Sequence, residues 1–160
     1  MSTIKDYEGR TVDVLALQGE YLPFSQQAEL LVQALATPRD GGKIVGGAQK
    51  LAQRTLMVLL TKLGSRQYEP LAGTGFMIDA QYGLWRTPAD VSLSFYSARL
   101  DVSRQVQAIE TDDDPDDERW GSLELTGLTL QGGNVTLRLT QTSRAGFTAH
   151  YLTPITVTVQ

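Results

Sequence analysis

The chain has 160 residues, no cysteine and a formal net charge of −4, and this length suits one domain of about 100–200 residues. The lack of cysteine excludes a disulfide framework, a thiolate zinc site, an iron–sulfur cluster and a cysteine nucleophile. The acidic balance argues against a nucleic-acid-coating or polybasic membrane surface, and no apolar run reaches the ~18–20 residues of a membrane span, so we expect one soluble domain, residues 1–160, made in the cytoplasm.

Residues 1–46 are predicted to contain two strands. Val12, Val14 and Ala16 alternate with Thr11, Asp13 and Leu15, which predicts a strand over Thr11–Gln18. The segment Ala28–Ala36 fits either a short helix or a strand. We favour a strand that pairs with the first one in a long-looped hairpin, ending at the turn-like segment Pro38–Gly42.

Two helices are predicted in the middle of the chain. The first begins after Gly47 and is expected to end at Gly64, since glycine readily adopts the left-handed conformation that closes a helix. The second begins at Thr87, which can cap the helix, with Pro88 and Asp90 in the first turn. Their apolar faces follow three- and four-residue steps: Ala48, Leu51, Ala52, Thr55, Leu56, Leu59, Leu60 and Leu63 in the first; Val91, Phe95, Ala98, Val102, Val106 and Ile109 in the second.

The segment between the helices, Gly64–Tyr82, contains several glycines and predicts an ordered loop with a short strand. After Trp120 the period becomes two, which predicts three antiparallel strands. Gly127 marks an expected bulge, the segment Gln131–Asn134 an expected hairpin turn, and Ile155, Val157 and Val159 the last strand. The predicted fold is α+β, with two helices on a mainly antiparallel sheet, a C-terminal three-stranded meander and the N-terminal hairpin.

Seven of the 18 acids lie in the nine residues Glu110–Glu118. Outside this run, 14 bases against 11 acids leave a formal charge of +3. The run lacks the alternation and the glycine of a calcium loop. We favour a solvated connection that repels itself, with a loose divalent site or a docking loop for a basic partner as the alternatives.

The chain offers little catalytic chemistry. His150 is the only histidine, so one chain cannot form a two-histidine metal site, and no nucleophile-elbow or phosphate-loop pattern occurs. Glu69 and Asp79 could form the carboxylate pair of a glycoside hydrolase, although we favour two exposed loop acids. Aromatic residues near the second helix suggest a sugar platform or, as we favour, core or interface packing: Tyr82, Trp85, Phe95 and Tyr96. No cofactor or metal is predicted.

The last strand is uncharged and threonine-rich, and its position in the sheet decides its use. Folded proteins normally protect edge strands with charge or bulges, which Thr156 and Thr158 do not provide. At the sheet edge, this strand could accept a strand from a partner. A central position in the sheet is the rival interpretation.

The stretch Ala48–Met77 resembles the baseplate wedge or sheath-initiator family of contractile phage tails, once labelled lysozyme-like. The residues that match best are Leu59, Leu60, Thr61, Gly64, Pro70 and Gly73. Glu118 and Arg119 partly match the family's Glu-Pro-Arg motif, without its proline. The later order of helix, loop and strands agrees through to Gln160, whereas residues 1–46 are less characteristic of the family.

The resemblance implies a structural protein of the virion, located in the tail baseplate and assembled in the host cytoplasm. Family members present a sheet resembling that of the sheath subunit and receive strands from the first sheath ring. The implied partners are wedge subunits, sheath, and tube or hub proteins, with several copies per particle and six as the expected number. Together with the terminal strand, the resemblance predicts these partner contacts: Gly64, Tyr68, Pro70, Gly73, Thr74, Glu118, Arg119, Ile155, Thr156, Val157 and Thr158.

Three functional hypotheses follow. The first is a non-enzymatic baseplate component that anchors or initiates the tail sheath by β-strand addition. The second is a glycan-cleaving enzyme that uses Glu69 and Asp79. The third is a general adaptor domain for a small protein partner.

Overall fold

The computed structural model describes Arg10 and residues 13–14, 29–33 and 44–157. The helices are α1 (Gly47–Leu60), α2 (Phe76–Gln81) and α3 (Pro88–Ala108). The strands are β1 (Asp13–Val14), β2 (Glu29–Gln33), β3 (Ile44–Val45), β4 (Trp120–Gln131), β5 (Asn134–Ser143) and β6 (Thr148–Thr156). The fold is α+β as predicted. Within the described ranges, no helix has both the length and the apolar character needed to cross a membrane.

Helix α1 has the predicted apolar face up to Leu60 but ends earlier than predicted, so Leu63 lies beyond it and is exposed. It stops at Leu60 because Thr61 is extended and the chain then forms a single bridge between Lys62 and Thr74. Gly64 does have a positive φ, of 78°. It lies in a turn beyond the helix, where Ser65 N–H donates to Lys62 O at 3.1 Å. The left-handed glycine is therefore confirmed, and its predicted role as the end of the helix is wrong.

The segment between α1 and α3 contains a helix that the sequence did not predict. The expected strand is reduced to the Lys62–Thr74 bridge, and α2 occupies Phe76–Gln81. The predicted start of α3 is confirmed: the Thr87 hydroxyl accepts from Asp90 N–H at 3.2 Å, and the Asp90 carboxylate accepts from Thr87 N–H at 2.8 Å. This capping box satisfies two amides that the helix itself cannot pair.

The main sheet has four strands in the order β2–β6–β5–β4, and the β4–β5–β6 meander is antiparallel as predicted. A register shift between Leu125 and Gly127 confirms the bulge, and the pair Gln131–Asn134 confirms the hairpin. Strand β6 begins at Thr148 rather than near Ile155. The helices α1 and α3 pack on one face of this sheet.

The predicted N-terminal hairpin lies largely outside the described residues. Of its first strand only β1 is described, and β1 pairs with β3 in an antiparallel manner. Of its second strand, β2 is described and runs parallel to β6, with Glu29 opposite Thr148 and Gln33 opposite Leu152. In the described parts the two segments thus pair with other strands, β1 with β3 and β2 with β6.

A polar network crosses the core between α1 and the sheet. The hydroxyl of Tyr151, which is buried, donates to Gln141 Oε1. The amide of Gln141 donates in turn to the Thr55 hydroxyl at 2.7 Å. These bonds satisfy three buried side chains and fix how α1 lies over β5 and β6.

The buried phenol predicts a loss of stability in alkali. Burial raises the pKa of Tyr151 well above its ordinary value, so the unfolded chain loses this proton first, at about pH 10. The stabilisation that comes from keeping this phenol protonated in the fold is fully present below that pH. Above it, the free energy of unfolding should fall by up to about 1.4 kcal/mol per pH unit. Urea unfolding at about pH 9 and 11 measures this. Tyr151→Phe should lack this alkaline slope, and a variant that kept it would contradict the assignment.

Candidate functional site

The loop of residues 61–75 joins α1 to α2, and hydrogen bonds hold its two ends together at a base. Thr74 N–H donates to Thr61 O at 2.9 Å, and Leu63 N–H donates to Thr74 O at 3.0 Å. Thr74 is fully buried, and its hydroxyl donates to Leu59 O at 2.9 Å. The base is therefore part of the core, and the loop leaves the domain in a defined direction.

Helix α3 fixes the base from the other side through Gln105. Gly73 N–H donates to Gln105 Oε1 at 2.9 Å, and Gln105 Nε2 donates to Gly73 O at 2.7 Å. Gly73 has a φ of +94°, and a Cβ there would lie 2.4 Å from Thr61 O. Only glycine fits this position. The sequence analysis missed Gln105, because its role depends on the packing of α3 against the loop.

The tip of the loop exposes large apolar side chains. Tyr68 is 91% exposed and Leu71 is 83% exposed, and Pro70 between them is also exposed. Arg66 and Glu69 form an ion pair across the tip at 2.9 Å. Exposed aromatic and aliphatic groups on a well-held loop are typical of protein–protein contacts. We call Tyr68, Pro70 and Leu71 the loop tip; Leu71 was not among the predicted contact residues.

The other predicted contact residues of this loop have structural positions. Gly73 and Thr74 are buried in the base. Gly64 is exposed and adopts its positive φ in the turn after Lys62. The structure therefore separates residues that shape the loop from residues that a partner could touch.

Glu118 lies in a buried cluster of charges at the start of α1. Its side chain is 2% exposed and that of Lys50 is 0% exposed, and the two form an ion pair. Glu118 also accepts from Gly47 N–H at 2.7 Å and from Arg10 at 3.4 Å. Arg119 donates to Thr111 O. Glu118 thus joins the acidic run to α1, and Arg119 ties the two ends of the run together, so both predicted contact residues have partners within the chain.

The terminal strand β6 is only partly available for strand addition. Ile155 and Val157 are buried, whereas Thr156 is exposed; Thr158 lies outside the described residues. Strand β2 pairs with Thr148–Leu152, so β6 is an interior strand there, ahead of the residues predicted to form the last strand. Strand β6 has β5 on one side. On its other side, Thr153–Thr156 is the stretch that no described strand pairs with.

The opposite edge of the sheet, β4, is protected against pairing. Register shifts at Trp120–Ser122 and Leu125–Gly127 interrupt its ladder. Arg99 on α3 donates to Leu123 O at 3.3 Å and forms an ion pair with Glu124 at 2.9 Å. Bulges and charges are the usual means of preventing edge-to-edge association. The β4 edge is therefore protected, whereas the stretch Thr153–Thr156 of β6, beside which no described strand lies, is uncharged.

The carboxylates of the enzyme hypothesis are engaged separately. Glu69 pairs with Arg66 on the exposed loop. Asp79 on α2 accepts from the Ser94 hydroxyl at 2.6 Å. Within the described part of the chain, no group of three or more acids and histidines could hold a metal ion.

The candidate sugar platform is divided between core and surface. Trp85 and Phe95 are buried and pack on Phe76, with ring centroids 4.5 and 6.4 Å from its own. Tyr82 and Tyr96 are exposed. The favoured interpretation, core packing, is confirmed for Trp85 and Phe95.

Comparison of the chain with protein-family models, with curated proteins and with solved structures found no match.

Proposed function

We propose that this chain is a non-enzymatic structural component of a contractile phage tail baseplate that anchors or initiates the tail sheath. The resemblance of Ala48–Met77 to the sheath-initiator family motivates the setting. The loop tip supports a docking role more directly, since an apolar tip on a base held by buried hydrogen bonds suits a partner surface. In this role the loop presents Tyr68 and Leu71 to a neighbouring baseplate or tail protein.

Strand addition in this proposal uses the stretch Thr153–Thr156 of β6. This stretch is uncharged, and it continues the line of β2 along the same side of the strand. Pro154 has no N–H to donate, so an incoming strand would bond there only to the proline carbonyl. Proline is tolerated in strands at such edges. The added strand would pair with β6 beyond Leu152, the last residue with which the described part of β2 pairs.

The test is complementation of a phage that lacks this gene, with sheathed tails counted in electron micrographs. The double variant Tyr68→Ala/Leu71→Ala should lower the yield of sheathed tails at least about tenfold, since the few hot-spot residues of an interface each cost about 2 kcal/mol or more when they are truncated. Thr156→Lys should have a similar effect, because a lysine on an edge strand opposes pairing.

Matched controls separate these effects from a general loss of surface. Leu93→Ala removes a similar side chain, 72% exposed on α3, and should leave the yield unchanged. Thr136→Lys places the same charge on β5, which has a strand on each side, and should also be tolerated. Normal yields from both test variants would overturn the proposal. Turnover of purified peptidoglycan by the wild type that is lost in Glu69→Gln would also overturn the proposal and would support the enzyme hypothesis.

A further inference from the structure

Most acids of the run Glu110–Glu118 have a hydrogen-bond or ion-pair partner within the chain. Five of its seven acids have a partner, and three of these five face a base. The contacts are Glu110 with Trp120 N–H, Asp114 with Thr111 N–H, Asp116 with Arg144, Asp117 with Arg10, and Glu118 with Lys50. The run is therefore a built part of the fold, and the favoured interpretation of a solvated connection that repels itself is wrong at Asp117 and Glu118, which are buried.

Asp112 and Asp113 are the exceptions. Both are exposed, and no base lies within ion-pair distance of either among the described residues. They form the corner of a turn in which Asp114 N–H donates to Thr111 O at 3.1 Å and Thr111 N–H donates to Asp114 Oδ2 at 2.7 Å. Two adjacent carboxylates are thus held at one exposed corner, where a cationic partner would relieve their repulsion.

A complementary base lies on the sheet face away from the helices. Arg138 is exposed and has no carboxylate within ion-pair distance in the described part of the chain. It borders a hollow of ≈ 280 Å³ whose lining, which includes Thr126, His150 and Leu152, contains no acid. Such a volume accepts a carboxylate side chain together with waters, each of which takes about 30 Å³.

The stem of Arg138 lies against Gly127 of the neighbouring strand. At Gly127, the opposite residue on β4, a Cβ would lie only 3.1 Å from Arg138 Cδ, so the missing side chain leaves room for the arginine stem. His150 Nδ1 lies 3.1 Å from the Thr140 hydroxyl, next to the same hollow. An arginine fork beside hydroxyl groups is well suited to a carboxylate.

The corner and the hollow cannot meet within one copy. The acidic run lies against the turn after β5, where Ala145 N–H donates to Asp116 O at 3.0 Å. Arg138 is five residues before Ser143, the end of β5, which is roughly 17 Å along a strand. A contact between the two surfaces therefore joins different copies head to tail, and such contacts form rings when the rotation closes.

We propose that copies of this chain associate head to tail, with Asp112 and Asp113 of one copy bound at the Arg138 and His150 hollow of the next. The contact uses two different surfaces, so each copy has one acidic and one basic end. It concerns the purified chain alone and holds whether or not the chain belongs to a baseplate.

Charge reversal tests the contact by sedimentation velocity of the purified full chain at high concentration and low salt. The wild type should show a sedimentation coefficient that rises with protein concentration and falls on adding salt. Asp112→Lys/Asp113→Lys and Arg138→Glu should each weaken this association about tenfold or more. A 1:1 mixture of the two variants should restore it, since each variant then meets the opposite charge on the other.

Arg86→Glu is the matched control for Arg138→Glu, because it makes the same change at another exposed arginine; it should associate as the wild type does. All four positions are exposed, so thermal unfolding should match that of the wild type and exclude misfolding. A monomeric wild type at every concentration would overturn the proposal. So would a mixture that stays monomeric, or an Arg86→Glu variant as defective as Arg138→Glu.

Discussion

Replacement of Glu118 by glutamine is expected to lower the free energy of unfolding by about 3–5 kcal/mol, the usual cost of removing one partner from a buried ion pair. Glutamine preserves the size of the side chain and an oxygen for Gly47 N–H. It removes the negative charge that faces the Lys50 ammonium, whose side chain is 0% exposed. The urea midpoint, at unchanged slope, measures the effect.

Two further variants make this prediction specific. Asp116→Asn changes the same acidic run, but that carboxylate is 64% exposed and lies 3.8 Å from Arg144, so its loss should cost less than about 1 kcal/mol. Adding Lys50→Met to Glu118→Gln removes both charges of the buried pair and should recover part of the loss. A Glu118→Gln variant with the urea midpoint of the wild type would show that the pair is not buried as described.

Gly73→Ala should be the next most damaging change, at about 2–5 kcal/mol. A left-handed conformation costs a residue with a side chain about 1–2 kcal/mol, and overpacking adds about 1–3 kcal/mol. At Gly73 both apply, because φ is +94° and the new Cβ would lie 2.4 Å from Thr61 O. Moving the backbone to relieve this contact would break the bonds to Gln105, so proteolysis of the loop should also accelerate.

Gly64→Ala is the matched control for the cost of placing a side chain on a left-handed backbone. Its φ is +78°, and a Cβ there would meet nothing within 4 Å, so only the conformational cost of about 1–2 kcal/mol applies. The difference between the two variants in urea unfolding measures the overlap with Thr61. Equal losses would mean that the loop base is not closely packed at Gly73.

Local patterns predicted the elements whose signals lie within one turn or one strand. The capping box at Thr87, the bulge at Gly127 and the hairpin at Gln131–Asn134 each depend on residues a few positions apart. Helix α1 shows the limit of this reasoning. Its apolar face was evident, but its end was set by the distant Thr74, which pairs with Thr61 after the chain has turned back.

The candidate contact sites were predicted only in part, for the same reason. Tyr68 and Pro70 were identified through a resemblance, but nothing in the sequence separates them from Gly73 and Thr74, which are buried in the base. Leu71 and Gln105 give no local signal, since one matters by its exposure and the other by its position on α3. The position of β6 likewise depended on β2, more than one hundred residues away in the chain.

By itself the sequence determined the class of fold and the alternation of buried and exposed residues, because periodicity, caps and turn residues act over short distances. Only the tertiary structure decided which charges were neutralised. Glu118 and Asp112 belong to one acidic run, yet Glu118 is buried against Lys50 and Asp112 faces solvent. Ion pairs and sheet order join residues far apart in the chain, so their energies depend on distances that no local pattern contains.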